Sequence, residues 1–387
     1  MDKIIYMDHA ATTYIKEEVL NEMYPYFKKY YGNPSSQYSI SMNSRMAIEL
    51  AKEKISKGLN CTPEEIYIVS GASEADNWAI KGFALANRCK GNHIITTKIE
   101  HEAVLNSCRY LEDIGFDITY LPVDNKGFIK LEDLKKSIRN DTILVSIMFA
   151  NNEIGTIEPV GEIGRICREN NIVFHTDAVQ AFCKIPIDVK KMNIQMASLS
   201  AHKIYGPKGI GALYIKKGIK IHSLIHGGAQ ERGKRAGTEN VPLVVGFGKA
   251  VELGLDCMEE ESIRLSRLRD ELIDKLSEIE KVEINGPLGE NRLPNNVNVS
   301  FPGIHGEDLV FLLDREGICV SSGSACQASA MEPSHVLLAL GLDKKIAKSS
   351  IRLTLGYTTT KEDIYYVVDK LKEIVQKVRK SNKEMQN

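Results

Sequence analysis

Between about residues 64 and 215 the chain alternates short runs rich in β-branched and aromatic residues with longer segments whose apolar residues recur every three or four positions. The runs are EEIYIVS, NHIITT, DITYLPV, TILVSIMF, NIVFHTD, MASLS and GIGALYI, and SEADNWAIKGFALAN and PVGEIGRICREN are two of the segments between them. Strands buried on both faces read as nearly continuous apolar sequence, and parallel neighbours need a crossover that a helix supplies. The alternation therefore predicts an α/β fold on a mainly parallel central sheet with helices on both faces. Ligands of such sheets bind off the carboxyl ends of the strands, so residues just after each run are the first candidates for chemistry.

The chain has 387 residues, 43% of them apolar, more than one small core accommodates. A helical stretch from about 240 to 279 follows the alternating region, and its charged half, MEEESIRLSRLRDELIDKL, is suited to bridging to a second unit. A boundary is expected near 255. Beyond it VEIN, NNVNVSF, GICVSS and SIRLTL read as strands, with helices near 306–315, 333–340 and 360–379, the makings of a smaller α+β domain. The expected division is 14–255 for the large domain, with 1–13 and 256–387 forming the small one. The polar tail KVRKSNKEMQN is expected to fray.

Charge and cysteine usage narrow the partners. The 50 basic and 51 acidic residues nearly cancel and form no long block of one sign, so neither direct nucleic-acid binding nor an anionic-membrane surface is expected. No window approaches a membrane span, and MDKIIYMDHAATT lacks a signal-peptide or arginine-rich amphipathic pattern, which predicts a cytoplasmic protein. Eight cysteines, at positions 61, 89, 108, 167, 183, 257, 319 and 326, include no CxxC pair. That spacing argues against a zinc cage or a disulfide framework and predicts mostly reduced, buried thiols, one of them reactive.

The segment SLSAHKIYGPKG carries Ser200, His202 and Lys203 from the end of a β-run into a loop rich in glycine and proline. An amine held there can be partly desolvated, which lowers its pKa and fits it for a Schiff base with an aldehyde; a surface lysine in a turn is the plain alternative. Asp177 ends the run NIVFHTD, where a carboxylate can pair with a protonated pyridine nitrogen while Gln180 donates to the phenolic oxygen of the same ring. The same two residues also have the spacing of a helix capping box. In SGASEADN the backbone N–H groups after Gly71, that of Ala72 first, and the Ser73 hydroxyl suit a phosphate, although such turns commonly just cap helices.

His101, in KIEHEAV, follows the run NHIITT and opens the next helix. An imidazole there can stack on a planar ring and exchange protons near neutral pH, or simply cap the helix. No close ligand spacing accompanies it, so a metal is not expected. Cys326 lies in GICVSSGSACQASAMEPSHVL among serine, glycine and alanine, a setting with the exposure and freedom a nucleophilic thiol needs. Cys319, inside the apolar run ICV, is expected to be a buried thiol.

Taken in order, MDHAATT, YGNPSS, SGASEADN, EHEAV, NNEIGT, HTDAVQ, SAHKIYGPKG, GGAQERGKRAGTEN, SSGSAC and SSIRLTLGY resemble the cysteine desulfurases of the NifS/IscS type, in the class V aminotransferase group of fold-type I pyridoxal-phosphate enzymes. The resemblance runs from about Tyr6 to Tyr357. It implies pyridoxal 5'-phosphate held by Lys203, stacked by His101, with Asp177 and Gln180 on the ring nitrogen and phenolic oxygen and Ala72, Ser73, Ser200 and His202 at the phosphate. Thr238 matches a threonine that reaches the phosphate of the other subunit, which implies a homodimer. Asn152 and Arg352 resemble the residues that hold the carboxylate of the substrate, L-cysteine, and a guanidinium fork suits that task. Cys326 matches the persulfide-forming nucleophile, with Lys203 and His101 moving protons.

The implied products are alanine and a persulfide whose sulfur passes to an iron–sulfur scaffold or a tRNA-thiolating enzyme. The long segment after Cys326 is similar to the group I enzymes rather than the SufS group. A selenocysteine lyase or a class V aminotransferase is the alternative on the same fold, and Cys326 weighs against a transaminase.

Overall fold

The structure, a computed structural model, describes residues 4–322 and 332–384; Cys326 lies outside the described residues. In chain order the strands are β1 (Ile5–Tyr6), β2 (Ile66–Val69), β3 (His93–Thr97), β4 (Asp117–Leu121), β5 (Thr142–Ser146), β6 (Val173–Asp177), β7 (Met196–Ser200) and β8 (Gly211–Ile215). After them come β9 (Glu283–Asn285), β10 (Asn296–Ser300), β11 (Ile318–Cys319), β12 (Ser321–Ser322) and β13 (Ser350–Thr354).

All seven runs of the alternating region form strands of one sheet, in the order β2-β8-β7-β6-β5-β3-β4. Pairing is parallel from β7 through β6, β5 and β3 to β4, and antiparallel where β8 joins β7 and β2. The mainly parallel sheet is thus as expected, with β8 reversed. Its side chains alternate between two apolar layers: Ile66, Ile68, Ala212 and Tyr214 face one, while Tyr67, Val69, Leu213 and Ile215 face the other. The first layer is closed by helices Ser39–Lys57, Val160–Glu169 and Val241–Asp256, the second by the helical segment 72–87 and helix Glu102–Asp113. Each large side chain so buried stabilises the fold by about 1.5–3 kcal/mol, which is why the period of two is strict.

A second core surrounds the antiparallel sheet β12-β13-β10-β9, where Val297, Val299, Ile351 and Leu353 pack with Leu272, Leu309, Leu313 and Leu371. Ile5 and Met7 from the start of the chain join this core, and β1 pairs in parallel with β11. The N-terminal segment therefore crosses from one core to the other, passing between them at residues 8–13.

Three expectations are corrected. The helical stretch from 240 to 279 is two helices, Val241–Asp256 and Met258–Ser277, parted at Cys257, whose ψ of 5° leaves the helical region. The tail does not fray at residue 377, because helix Lys361–Glu384 continues through it and Arg379 and Asn382 donate to the carbonyls of Lys281 and Gly303. Of the seven described cysteines, all free thiols, only Cys108 and Cys167 are buried, and Cys319 is half-buried because its strand is two residues long and pairs at the margin of the second core.

Candidate active site

Because β2 and β7 both run antiparallel to β8, they run parallel to each other, and the carboxyl ends of β2, β3, β5, β6 and β7 share one edge. That edge collects the chemistry. The turn after β2 supplies Ala72 and Ser73, the turn after β3 His101, the segment after β5 Asn152, and β6 with the turn after it Asp177 and Gln180. β7 and the loop after it supply Ser200, His202 and Lys203. Together with Arg352 of β13 these residues line one cavity of about 480 Å³. Thr238 is exposed on a loop and does not line this cavity, and Cys326 lies outside the described residues.

Lys203 ends a single helical turn, Ala201–Lys203, directly after β7. Its Nζ donates to the carbonyl oxygens of Ala10 (2.6 Å) and Ala11 (2.5 Å) on the crossing N-terminal segment, so the surface-lysine alternative does not apply. Close approach of the neighbouring turn depends on glycine. A Cβ at Gly211, which pairs with Ser200, would lie 2.5 Å from the Leu199 carbonyl and 2.8 Å from the Gly71 Cα.

His101 caps helix Glu102–Asp113 with Nδ1 accepting from the Ala103 N–H (3.1 Å), and it lines the cavity. An Nδ1 committed as acceptor leaves Nε2 as the nitrogen that carries or exchanges a proton. The capping box at Asp177 does not form, because the chain after β6 makes turns instead of a helix. Asp177 Oδ1 accepts from the Val179 N–H (3.0 Å), and the Gln180 amide donates to the Ala10 carbonyl (3.1 Å).

The electrostatics follow from burial. Desolvation raises the pKa of Asp177, with His101, the Val179 N–H and Lys203 pulling the other way. Behind it, Asp76 is raised further by its own burial and by Asp177. His202 is pushed down to about 4 by burial and by Lys203, Lys208 and Lys184, and its Nδ1 meets the Thr12 hydroxyl at 3.1 Å. A neutral imidazole and hydroxyls in the cavity wall suit a phosphate. A buried carboxyl in the same cavity gains most from a cationic N–H partner. With the Lys203 amine, this donor set fits pyridoxal phosphate.

Arg352 is almost fully buried. It donates to Asp8 Oδ1 (2.8 Å) and the Asn152 carbonyl (3.2 Å), while its Nε has no partner among the described residues. The sequence reading missed Asp8 and the carbonyls of Ala10 and Ala11, although all three lie in the MDHAATT motif it singled out. It also missed Lys184, whose Nζ donates to the Gln180 carbonyl at 3.0 Å.

Residues 5–367 match the family model described as aminotransferase class-V. A Clostridium botulinum protein named cysteine desulfurase IscS is 58% identical over 381 residues, spanning 98% of this chain and 96% of that one. A Methanosarcina thermophila protein of the same name is 55% identical over 378 residues, spanning 98% and 93%. Among solved structures, a NifS-like protein superposes with a TM-score of 0.91 at 42% identity, covering 97% of this chain and all (100%) of its own. SspA in complex with cysteine gives 0.81 at 40% identity, covering 91% and 98%.

Proposed function

The chain belongs to the class-V aminotransferase family, and on that premise we infer that it is a pyridoxal-phosphate-dependent cysteine desulfurase of the NifS/IscS type, which moves sulfur from L-cysteine to a thiol of its own and releases L-alanine. The observation that carries this reading is one cavity lined by Lys203, Asp177, His101 and Arg352. When bound, pyridoxal phosphate supplies an electron sink for negative charge at the α-carbon of an amino acid.

The side chains of the protein do the rest. Lys203 would be the amine for the cofactor aldehyde, Asp177 and Gln180 would meet the ring nitrogen and phenolic oxygen, and Ser73, Ser200, His202 and the Ala72 N–H would hold the phosphate. Arg352 and Asn152 would hold the substrate carboxylate, the guanidinium steadied by Asp8 and by the Asn152 carbonyl. With substrate bound, the Lys203 amine would take the α-proton, and Nε2 of His101 would move protons at the sulfur. Cys326 is the nucleophile: the carbon–sulfur bond of cysteine breaks and a sulfur–sulfur bond forms. The protons of the two thiols end on the persulfide and on the methyl group of alanine.

The finer reading is a cytoplasmic homodimer in which Thr238 completes the phosphate site of the second copy. It is supported by the exposure of Thr238 and of the large apolar side chains of Tyr24, Phe27, Tyr31, Met42, Met46 and Leu50. The chain divides near residue 255 into residues 14–255 and a smaller unit of 1–13 and 256–387, and the persulfide sulfur goes to an iron–sulfur scaffold or a tRNA-thiolating enzyme. The activity is tested by incubating the loaded protein with L-cysteine and a thiol reductant without any keto acid. Equal amounts of alanine and sulfide are expected, and alanine formation that depends on a keto acid overturns the reading. Cys326→Ser should keep its bound cofactor and lose sulfide release.

A further inference from the structure

Behind the catalytic cavity lies a second, smaller one of about 70 Å³, and Lys203 lines both. The inner cavity is also lined by Lys184. Cys183, at φ +56°, takes a left-handed turn that brings Lys184 back beneath Gln180. There its Nζ donates to the Gln180 carbonyl at 3.0 Å and approaches the Gln180 side-chain oxygen at 3.5 Å. The other end of the same amide, Nε2, donates to the Ala10 carbonyl at 3.1 Å, the oxygen that also accepts from Lys203.

An amide has one acceptor end and one donor end, so its orientation follows from what each end meets. Here both ends agree: a donor amine stands behind Oε1, and an acceptor carbonyl stands before Nε2. Reversing the amide would set N–H against amine and oxygen against carbonyl, two repulsions in a desolvated place. As an ammonium, Lys184 has donors only and enforces this orientation. Burial, with Lys203 adding to it, brings its pKa down to about 7, and the neutral amine still has two N–H groups for the two oxygens of Gln180. Lys203, His9, His202 and Cys183 interact with it electrostatically, and Glu261, which lines the same inner cavity, has its carboxylate engaged by Arg264 at 2.8 Å.

We propose that Lys184 is a positioning residue: it holds the Gln180 amide with its oxygen turned to the rear cavity and its N–H groups turned to the catalytic one, so that a ring oxygen bound there meets a donor. This deepens the cofactor reading given above and rests on it. The phenolic oxygen of the bound ring is then stabilised as an anion, and the proton equilibrium of the bound chromophore depends on an amine that never touches it.

The test is a double-mutant cycle on the cofactor-loaded protein, read as the pH midpoint of its visible absorption band and the equilibrium affinity for pyridoxal phosphate. Lys184→Met and Gln180→Ala should each shift the midpoint by about one unit and weaken affinity about tenfold, the size of one lost hydrogen bond. The double variant should be no worse than either single one, and Lys184→Arg, which keeps donors behind the amide, should restore the original midpoint. Additive shifts, or a midpoint unmoved in Lys184→Met, overturn the proposal. A crystal structure of cofactor-free Lys184→Met protein tests it independently of the cofactor reading. Gln180 should leave the Ala10 carbonyl, and an amide still seated there overturns the proposal, whereas a wild-type protein that binds no pyridoxal phosphate overturns the functional reading instead.

Discussion

On the seven-stranded side of the molecule, Asp76, Glu100, Glu158 and Asp177 are buried, and burial raises the pKa of each. On the four-stranded side the buried ionisable groups include Arg269, Arg292 and Arg352. The two sides use different means to keep such groups inside. A carboxyl group can take up a proton and become neutral, as the upward shifts record. A guanidinium gives up its proton far less readily and must be supplied with acceptors. Arg269 accordingly donates to the carbonyls of Arg292 and Leu293, Arg292 to that of Ile154, and Arg352 to that of Asn152.

The cleft between them therefore offers an acid to one end of what binds and a guanidinium to the other, which is the polarity of a pyridinium ring carrying an amino acid. The acid side should respond to pH, and the arginine side to the loss of hydrogen-bond geometry.

The severest way to break this picture is to remove the amine that stands between the two sides. Lys203→Ala should lower kcat by about 10⁴-fold and release the cofactor on dialysis, measured as alanine formation and residual visible absorbance. Arg352→Lys keeps the charge on the arginine side but loses the fork. The KM for L-cysteine should rise about 10- to 100-fold with a smaller change in kcat, and an unchanged KM would remove Arg352 from the substrate site.

Glu158 sharpens the acid side, because burial pushes its pKa to about 8 from an ordinary 4.5, and one of its oxygens has no partner among the described residues. Between those two values the folded protein holds a proton that the unfolded chain has released, so wild-type stability should fall as pH rises from about 4.5 to about 8. Glu158→Gln, neutral in both states, should flatten that slope and be more stable than wild type at pH 8 by a few kcal/mol, at about 1.4 kcal/mol per pKa unit. Urea unfolding at both ends of the range measures it, and equal slopes for the two proteins would contradict the burial argument.

The smallest effect belongs to the arginine side. Arg292→Met leaves the Ile154 and Asn285 carbonyls without their donor and should cost about 1–2 kcal/mol with nearly the same loss at every pH from 5 to 8.

Most of this was legible because it is local. The seven β-runs announced themselves by composition and length, and the candidate residues by their position at the ends of those runs, since strand geometry carries whatever follows it to the edge of the sheet. What escaped was set by contacts distant in the chain. Asp8 meets Arg352 across 344 residues, and Ala10 meets Lys203 across 193, so no window of sequence contains either pair. Lys184 drew no notice in the sequence four positions past Gln180, because only the left-handed turn at Cys183 folds it underneath.

The same division applies to the expectations that needed correcting. The capping box at Asp177 had the right spacing but required a helix, and packing against the N-terminal segment favoured turns there. A polar tail read as frayed is held as helix by carbonyls from residues nearly a hundred positions earlier. Periodicity and motif order determined the fold class, the edge of the sheet that carries the chemistry, and the residue types gathered there, because these follow from backbone geometry and side-chain chemistry alone. Which oxygen each amine meets, which carboxyl keeps its proton and which way an amide faces were decided only when the two cores closed on the segment between them, because those depend on desolvation and on partners that a linear chain does not bring together.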